Sequence, residues 1–255
     1  MKIIIIIILF LLISHNSSFS RNIGETEITT EEGIEVFQNE KYYLLKKNVK
    51  IESDTFNLTG DLIKIFFEKD LYDIKIIDAV GNVKMVSDSY RIKANGENLV
   101  FIVKTEEISL KGLNSNLITE DTDMYSDGTI IVNNITGDFL IEGQNSSLDT
   151  EDIFIEGEYI EGNFSNNNEN KEINLLNVLD KKIAYIKTDD TEMYSNKINY
   201  DKKTSLIELE NNVKIIRGGE TITGDYGTLD TATNSYKVKS KDSKKVKVII
   251  SNQDE

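Results

Sequence analysis

Asn48-Val49-Lys50-Ile51-Glu52-Ser53-Asp54-Thr55-Phe56-Asn57-Leu58-Thr59-Gly60-Asp61 returns near the other end of the chain as Asn212–Asp225. Asn, Val, Lys and Ile match at the start, and Thr, Gly and Asp match at the close, without a gap. Within the stretch Val49 and Ile51 flank Lys50, so apolar and polar residues alternate with a period of two. That period puts alternate side chains on opposite faces of a strand, and a helix of 3.6 residues per turn does not produce it.

The pattern extends outward from this stretch. Ile74 and Ile76 flank Lys75, Val83 and Met85 flank Lys84, Tyr90 and Ile92 flank Arg91, and Val213 and Ile215 flank Lys214. A third copy starts at Asn82, 34 residues after Asn48, and Thr136-Gly137-Asp138 repeats the closing triplet. Asp121-Thr122-Asp123-Met124-Tyr125-Ser126 returns 69 residues later as Asp190–Ser195, about twice that interval. Apolar bursts are separated by Asp-Gly or Gly-Gly turns such as Asp127-Gly128 and Gly218-Gly219. The unit reads as strand, tight turn, strand and polar turn. One hairpin buries a single face, so several must stack to share a core. The expected fold class is all-β and antiparallel, a sandwich, barrel or stacked-strand array. Lys171–Leu179 is the one segment with any helical period.

Composition narrows the chemistry. The 255 residues contain no Cys, Trp or Pro and one His, His15. Cys or Ser–His nucleophilic catalysis, His-ligated zinc and structural disulfides are therefore excluded. Lys and Arg number 29 against 44 Asp and Glu, a formal charge of −15, which repels nucleic-acid phosphates. No phosphate-cradling Gly-rich loop is present. Asp121-Thr122-Asp123 with Asp127-Gly128 faintly suggests a calcium loop. Tyr125 stands where an oxygen ligand is needed, and the repeat copy has Lys197 in place of Gly128, so a solvated turn is the better reading. Carboxylate pairs are plentiful, but the Trp and His that usually line sugar clefts are missing. No catalytic residue, metal site or cofactor is expected.

Met1-Lys2 precedes an unbroken apolar run, Ile3 to Ile13. It is short of the roughly 20 residues a spanning helix needs. It fits a signal-peptide core, with Ser18-Phe19-Ser20 supplying a cleavage site. Residues 1–20 are read as a signal peptide, Arg21 as the mature start and 21–255 as the β-rich domain. An uncleaved anchor is the competing reading. Asn163–Lys171, Asn-rich and acidic, is expected to be a long loop, a break between array halves. Lys237–Lys247 carries six Lys and one Asp. It is read as a terminal strand whose lysines guard an open sheet edge, or as a basic docking strip.

What remains is a surface. One face of the strands offers Val49, Ile51, Phe56, Leu58, Ile74, Ile76, Val83, Met85, Ile92, Val213, Ile215 and Ile222. These residues either fill a sandwich core or line an apolar furrow wide enough for acyl chains. Each lipid methylene buried is worth roughly 0.8 kcal/mol.

The unit N-V-K-I-x(7)-T-G-D is similar to the OstA-like repeat. The matching elements are Gly81-Asn82-Val83, Asn211-Asn212-Val213, Gly60-Asp61 and Gly224-Asp225, followed by Ser235-Tyr236-Lys237-Val238. Val36–Val103 and Asp190–Ser240 carry the resemblance best, and Gly112–Leu179 matches loosely. It implies an open, twisted antiparallel β-jellyroll and a lipopolysaccharide-transport role in the periplasm, most like the soluble bridging A component (LptA). It further implies lipid A acyl chains held in the furrow and head-to-tail self-association through terminal strands. The implied partners are lipopolysaccharide, an LptC-like inner-membrane component and an LptD-like outer-membrane component. The alternatives are the membrane-anchored C component of the same system, a surface β-solenoid with a structural or adhesive role, and, third, an enzyme acting on envelope glycans.

Overall fold

The computed structural model describes residues 23–69, 73–165, 172–241 and 245–251. Among them every regular element is a strand and every pairing is antiparallel. The expected signal peptide lies outside the described residues. In order, the strands are β1 (Glu27–Thr29), β2 (Gly33–Phe37), β3 (Tyr42–Glu52), β4 (Asn57–Phe67), β5 (Ile74–Ser87), β6 (Ile92–Ile102), β7 (Glu107–Lys111), β8 (Ser115–Ile118), β9 (Thr122–Ser126) and β10 (Thr129–Asn133). Then follow β11 (Asp138–Glu142), β12 (Ser146–Thr150), β13 (Phe154–Glu156), β14 (Tyr159–Phe164), β15 (Ile173–Lys187), β16 (Thr191–Asp201), β17 (Leu206–Arg217), β18 (Glu220–Asp230), β19 (Ser235–Lys239) and β20 (Lys247–Ile250).

The pairing registers reduce this list to one motif. β1 and β2 pair with the two ends of β3, and β8 and β7 with the two ends of β6. β7 and β8 act as one strand broken by a corner; so do β9 with β10, β11 with β12, β13 with β14, and β19 with β20. The long strands carry register shifts at the same level, such as Lys46/Val49 in β3, Val80/Val83 in β5 and Glu210/Val213 in β17. The described chain thus makes fourteen bent passes, eight as single long strands and six as split pairs. Each pass contributes one arm to a first wall, which contains β1, and one arm to a second wall, which contains β2. The walls face each other and share one hydrophobic core running from Leu45 to Leu229.

The corners explain the repeated Asn-Val. A pass turns from one wall to the other through residues with positive φ: Lys47 (65°) and Asn48 (49°), Gly81 (79°) and Asn82 (49°), Asn211 (65°) and Asn212 (54°). Asn and Gly tolerate this left-handed backbone best. The next residue, Val49, Val83 or Val213, then points inward and is at most 2% exposed. Neighbouring corners are tied side by side: Asn48 Nδ2 donates to Glu31 Oε1 (2.7 Å), and Asn212 Nδ2 to Asn196 Oδ1 (2.6 Å). Two passes make one layer in each wall, which accounts for the interval of 34 residues between Asn48 and Asn82.

Several expectations are corrected here. Asp127-Gly128 is a corner rather than a hairpin turn, since β9 and β10 do not pair with each other; Asp127 there accepts from Asn145 N (3.2 Å) and Nδ2 (2.8 Å). Gly60-Asp61 is likewise a corner, whereas Thr136-Gly137-Asp138 leads out of a true hairpin between β10 and β11. The segment with helical period is strand β15 from Ile173 onward. Its inward Leu176 and Val178 stand between outward Leu175 and Leu179, and apolar residues on both faces hide a period of two. Of the expected long loop, residues 166–171 lie outside the described set. On either side of them β14 and β15 pair directly, Phe164 with Ile173, and Ser165 N donates to Glu172 O.

Candidate functional site

The interior is built from cross-strand rows that run the length of the molecule. In the first wall, Ile28, Ile51, Leu58, Met85, Ala94, Leu117 and Met124 stand opposite one another in succession. Leu148, Ile155, Ile186, Met193, Ile215, Ile222 and Val248 continue the row. Every pass supplies one apolar side chain, with no polar interruption. The second wall has a matching row from Ile34 and Leu45 through Ile63, Ala79, Leu99 and Leu110 to Ile198, Leu209, Gly227 and Val238. A further row on the same wall runs from Val36 and Tyr43 to Leu229 and Tyr236. Its one side-chain gap, Gly162, is filled by Phe139: a Cβ on Gly162 would lie 2.5 Å from Phe139 Cζ. With strands about 4.8 Å apart, fourteen passes span roughly 60 Å.

Nine of the residues expected to line the furrow project from the first wall into this interior: Val49, Ile51, Leu58, Val83, Met85, Ile92, Val213, Ile215 and Ile222. They are buried against neighbouring side chains, with no exposure above 9%. Phe56 and Ile74 pack at the margin of the core, half-buried. Ile76 does not belong to the set. A register shift between Phe66 and Phe67 lets Ile74 face inward while Ile76 turns to the outer face, opposite Phe66 and Ile102. Flanking the same lysine is no guarantee of a shared face when a bulge intervenes.

Apart from Ile74, the inner face of the second wall escaped sequence reasoning. Leu45, Ile63, Leu99, Leu110, Ile130, Ile141, Ile160, Val178, Ile198 and Leu209 are fully buried there. Their signal was present as period-two apolar pairs such as Ile63-x-Ile65, Ile108-x-Leu110, Leu176-x-Val178 and Ile207-x-Leu209, but the Asn-Val motif marks only the arm that follows each corner. The pairs Val49–Gly60, Val83–Gly96 and Val213–Gly224 show the same economy beside the corners, where a branched side chain faces a glycine.

Opposite the corners the two walls end in separate rows of hairpin turns, here called the lips. Aromatic and aliphatic side chains meet across them. Tyr90, on the lip of the first wall, packs edge-on against Phe101 of the second, with ring centroids 5.5 Å apart. Further along, Ile153 and the Thr150–Asp152 turn of the first wall face Ile173, Tyr200, Lys202 and Ile207 of the second across a cavity of about 320 Å³. Burial raises the phenol pKa of both Tyr90 and Tyr200, so the lip tyrosines remain neutral well above physiological pH.

The ends of the stack are open. Ile34 and Val36 at one end and Val248 at the other belong to the inward rows but are 49%, 47% and 51% exposed, because no further pass among the described residues covers them. Lys237, Lys239 and Lys247 stand exposed on the last pass. Among the described residues no group of three or more acidic or His side chains is arranged to hold a metal, and no helix is long and apolar enough to cross a membrane.

Residues 28–139 match the family model described as LptA/(LptD N-terminal domain) LPS transport protein. The expected resemblance to the OstA-like lipopolysaccharide-transport proteins is borne out by that match, and the expected all-β antiparallel architecture by the strands themselves. No curated protein matches the chain. Among solved structures, one similar chain is LptH of Pseudomonas aeruginosa, titled the LptA homologous periplasmic component of the conserved lipopolysaccharide transport device. It is 16% identical over 51% of this chain and 94% of its own, with a TM-score of 0.41.

Proposed function

We propose that this protein is a non-enzymatic bridge of lipopolysaccharide transport, working in the periplasm and holding acyl chains between its two walls. The observation that carries the reading is the unbroken apolar row from Ile28 to Val248, doubled on the opposite wall and open at both ends. Such rows offer a chain of methylenes the same apolar environment at every layer once the walls part. At roughly 0.8 kcal/mol for each methylene buried, acyl chains bind without a polar anchor.

Entry is at the lips. The interior rows are filled by the protein's own side chains, so a tail enters by parting the walls where they already stand apart, beside Ile153, Ile173 and Ile207. The open end strands join copies head to tail, and join the bridge to LptC-like and LptD-like partners, by strand addition. Main-chain hydrogen bonds supply affinity in such joints and the exposed apolar residues supply register.

The match covers a family that includes the N-terminal domain of the outer-membrane component as well as the bridge. Mass spectrometry of the mature N-terminus separates a soluble bridge from a membrane-anchored component. A structural or adhesive β-solenoid is favoured by one observation, the filled interior, and predicts no lipid at all. Photo-crosslinking decides between them. A benzophenone residue at Ile153 should capture lipopolysaccharide, whereas one at Thr59, on the outer face of the first wall, should not. Capture at Thr59 alone, or at neither position with purified lipopolysaccharide, would overturn the proposal.

A further inference from the structure

We propose that the outer face of the second wall, across β14 to β17, is a binding groove for a neutral oligosaccharide. This rests on the groove itself and not on the lipid reading. The face is concave, with a cavity of about 700 Å³, within the range of small-ligand sites. Glu161, Asn177, Asn199 and Glu208 stand opposite one another in a single row across the four strands. Their chain neighbours Ile160, Val178, Ile198 and Leu209 point into the core, so the four polar side chains point out into the groove.

The row is held in place from the side, by tyrosines of the same outer face. Tyr159 donates to Glu161 Oε2 (2.5 Å), Tyr226 donates to Glu208 Oε1 (2.9 Å), and Asn177 Nδ2 donates to Glu161 Oε1 (2.8 Å). Asn177 Oδ1 is left buried with no partner, an acceptor at the groove floor that a hydroxyl donor would satisfy. In the next row Leu175, 51% exposed, and Leu206 flank Asp201 and add apolar ground to the groove.

This combination selects its ligand by elimination and by fit. Four carboxylates line the groove, Asp138, Glu161, Asp201 and Glu208, and repel phosphate, sulfate and sialic acid. The separation of the carboxylates by amides gives no metal cage. A sugar ring meets every requirement: hydroxyls donate to the carboxylates and to Asn177, accept from the amide of Asn199, and the ring's C–H face lies on leucine. Fixed, partly prepaired polar groups over an apolar shelf are the usual construction of such sites.

The test is an NMR titration of the ¹⁵N-labelled full chain with maltotriose, mannotriose and galactotriose, with sialyllactose and glucose phosphate as anionic controls. At least one neutral sugar should shift the amide signals of Asn177 and Asn199 at millimolar concentration, and the anionic controls should not. Asn199→Ala and Glu208→Gln, both on the outer face, should each weaken binding about tenfold, as loss of one hydrogen bond to a charged or amide group does, without moving the melting temperature. Absence of shifts with all three neutral sugars would overturn the proposal. Stronger binding of an anionic control, or affinity indifferent to both substitutions, would do the same.

Discussion

Asn82 Nδ2 donates to Asp61 Oδ2 across 2.9 Å, tying the corner of β5 to that of β4. The bond forms because Gly81, at φ +79°, brings the two corners together; a Cβ on Gly81 would lie 2.4 Å from that same carboxylate oxygen. Backbone geometry and side-chain pairing thus specify the corner jointly.

Gly81→Ala should therefore destabilise the protein by about 2–3 kcal/mol, combining left-handed strain with displacement of Asp61. Gly60→Ala, one corner away, has an ordinary φ and no neighbour closer than 3.5 Å. It should stay within about 1 kcal/mol of the parent. Denaturant unfolding of the two variants side by side checks the contrast, and equal losses would count against the corner argument.

Leu148 sits mid-row in the first wall with no solvent exposure. Leu148→Ala should cost about 2–5 kcal/mol, the usual range for a cavity in a packed core. Leu113, on a corner and 67% exposed, should tolerate the same change within about 0.5 kcal/mol. Thermal melts of both variants distinguish a packed interior from a loosely filled one.

The outer-face tyrosines predict a loss of stability in alkali. The hydrogen bond to Glu161 pushes Tyr159 up to about 12, and burial followed by the bond to Glu192 does the same for Tyr194. In the unfolded chain both ionise near pH 10. Folding therefore holds protons that the unfolded state releases: the contribution is complete below pH 10 and is lost as pH rises toward 12. Tyr159→Phe should flatten that fall. Denaturation midpoints followed alongside tyrosinate absorbance between pH 9 and pH 12 test it, and parallel curves for parent and variant would refute it.

Association should depend on the open ends more than folding does. Ile34→Lys places a charge on an inward but half-exposed position of the terminal layer. It should weaken head-to-tail assembly in size-exclusion chromatography while changing the melting temperature little. Trimming Ser240–Glu255 removes β20, whose four residues are all exposed, and should act in the same direction. Loss of folding in step with loss of assembly would remove the end strands from the proposed joint.

Alternation made the strands legible. The repeated Asn-Val made the periodicity legible as well, because left-handed corners select Asn or Gly and the following inward position selects Val. Its meaning as a corner between two walls was not legible: a bend within a strand and a turn between strands draw on the same residues, as Asp127-Gly128 shows. Ile76 was misplaced because a bulge leaves no mark in composition, and β15 was obscured because Leu175 and Leu179 are apolar on the outer face. The groove of Glu161, Asn177, Asn199 and Glu208 was beyond sequence reading altogether. Its members come from four strands and are neighbours only through register.

Because each pass crosses both walls, duplication of one hairpin lengthens both at once and leaves every existing register intact. Asn48 and Asn82, 34 residues apart, mark one such increment, worth about 10 Å of height at two strand spacings. The molecule is in this sense a ruler graduated in hairpins: its length is set by copy number, and the chain can be resized by whole courses without redesigning the core it encloses.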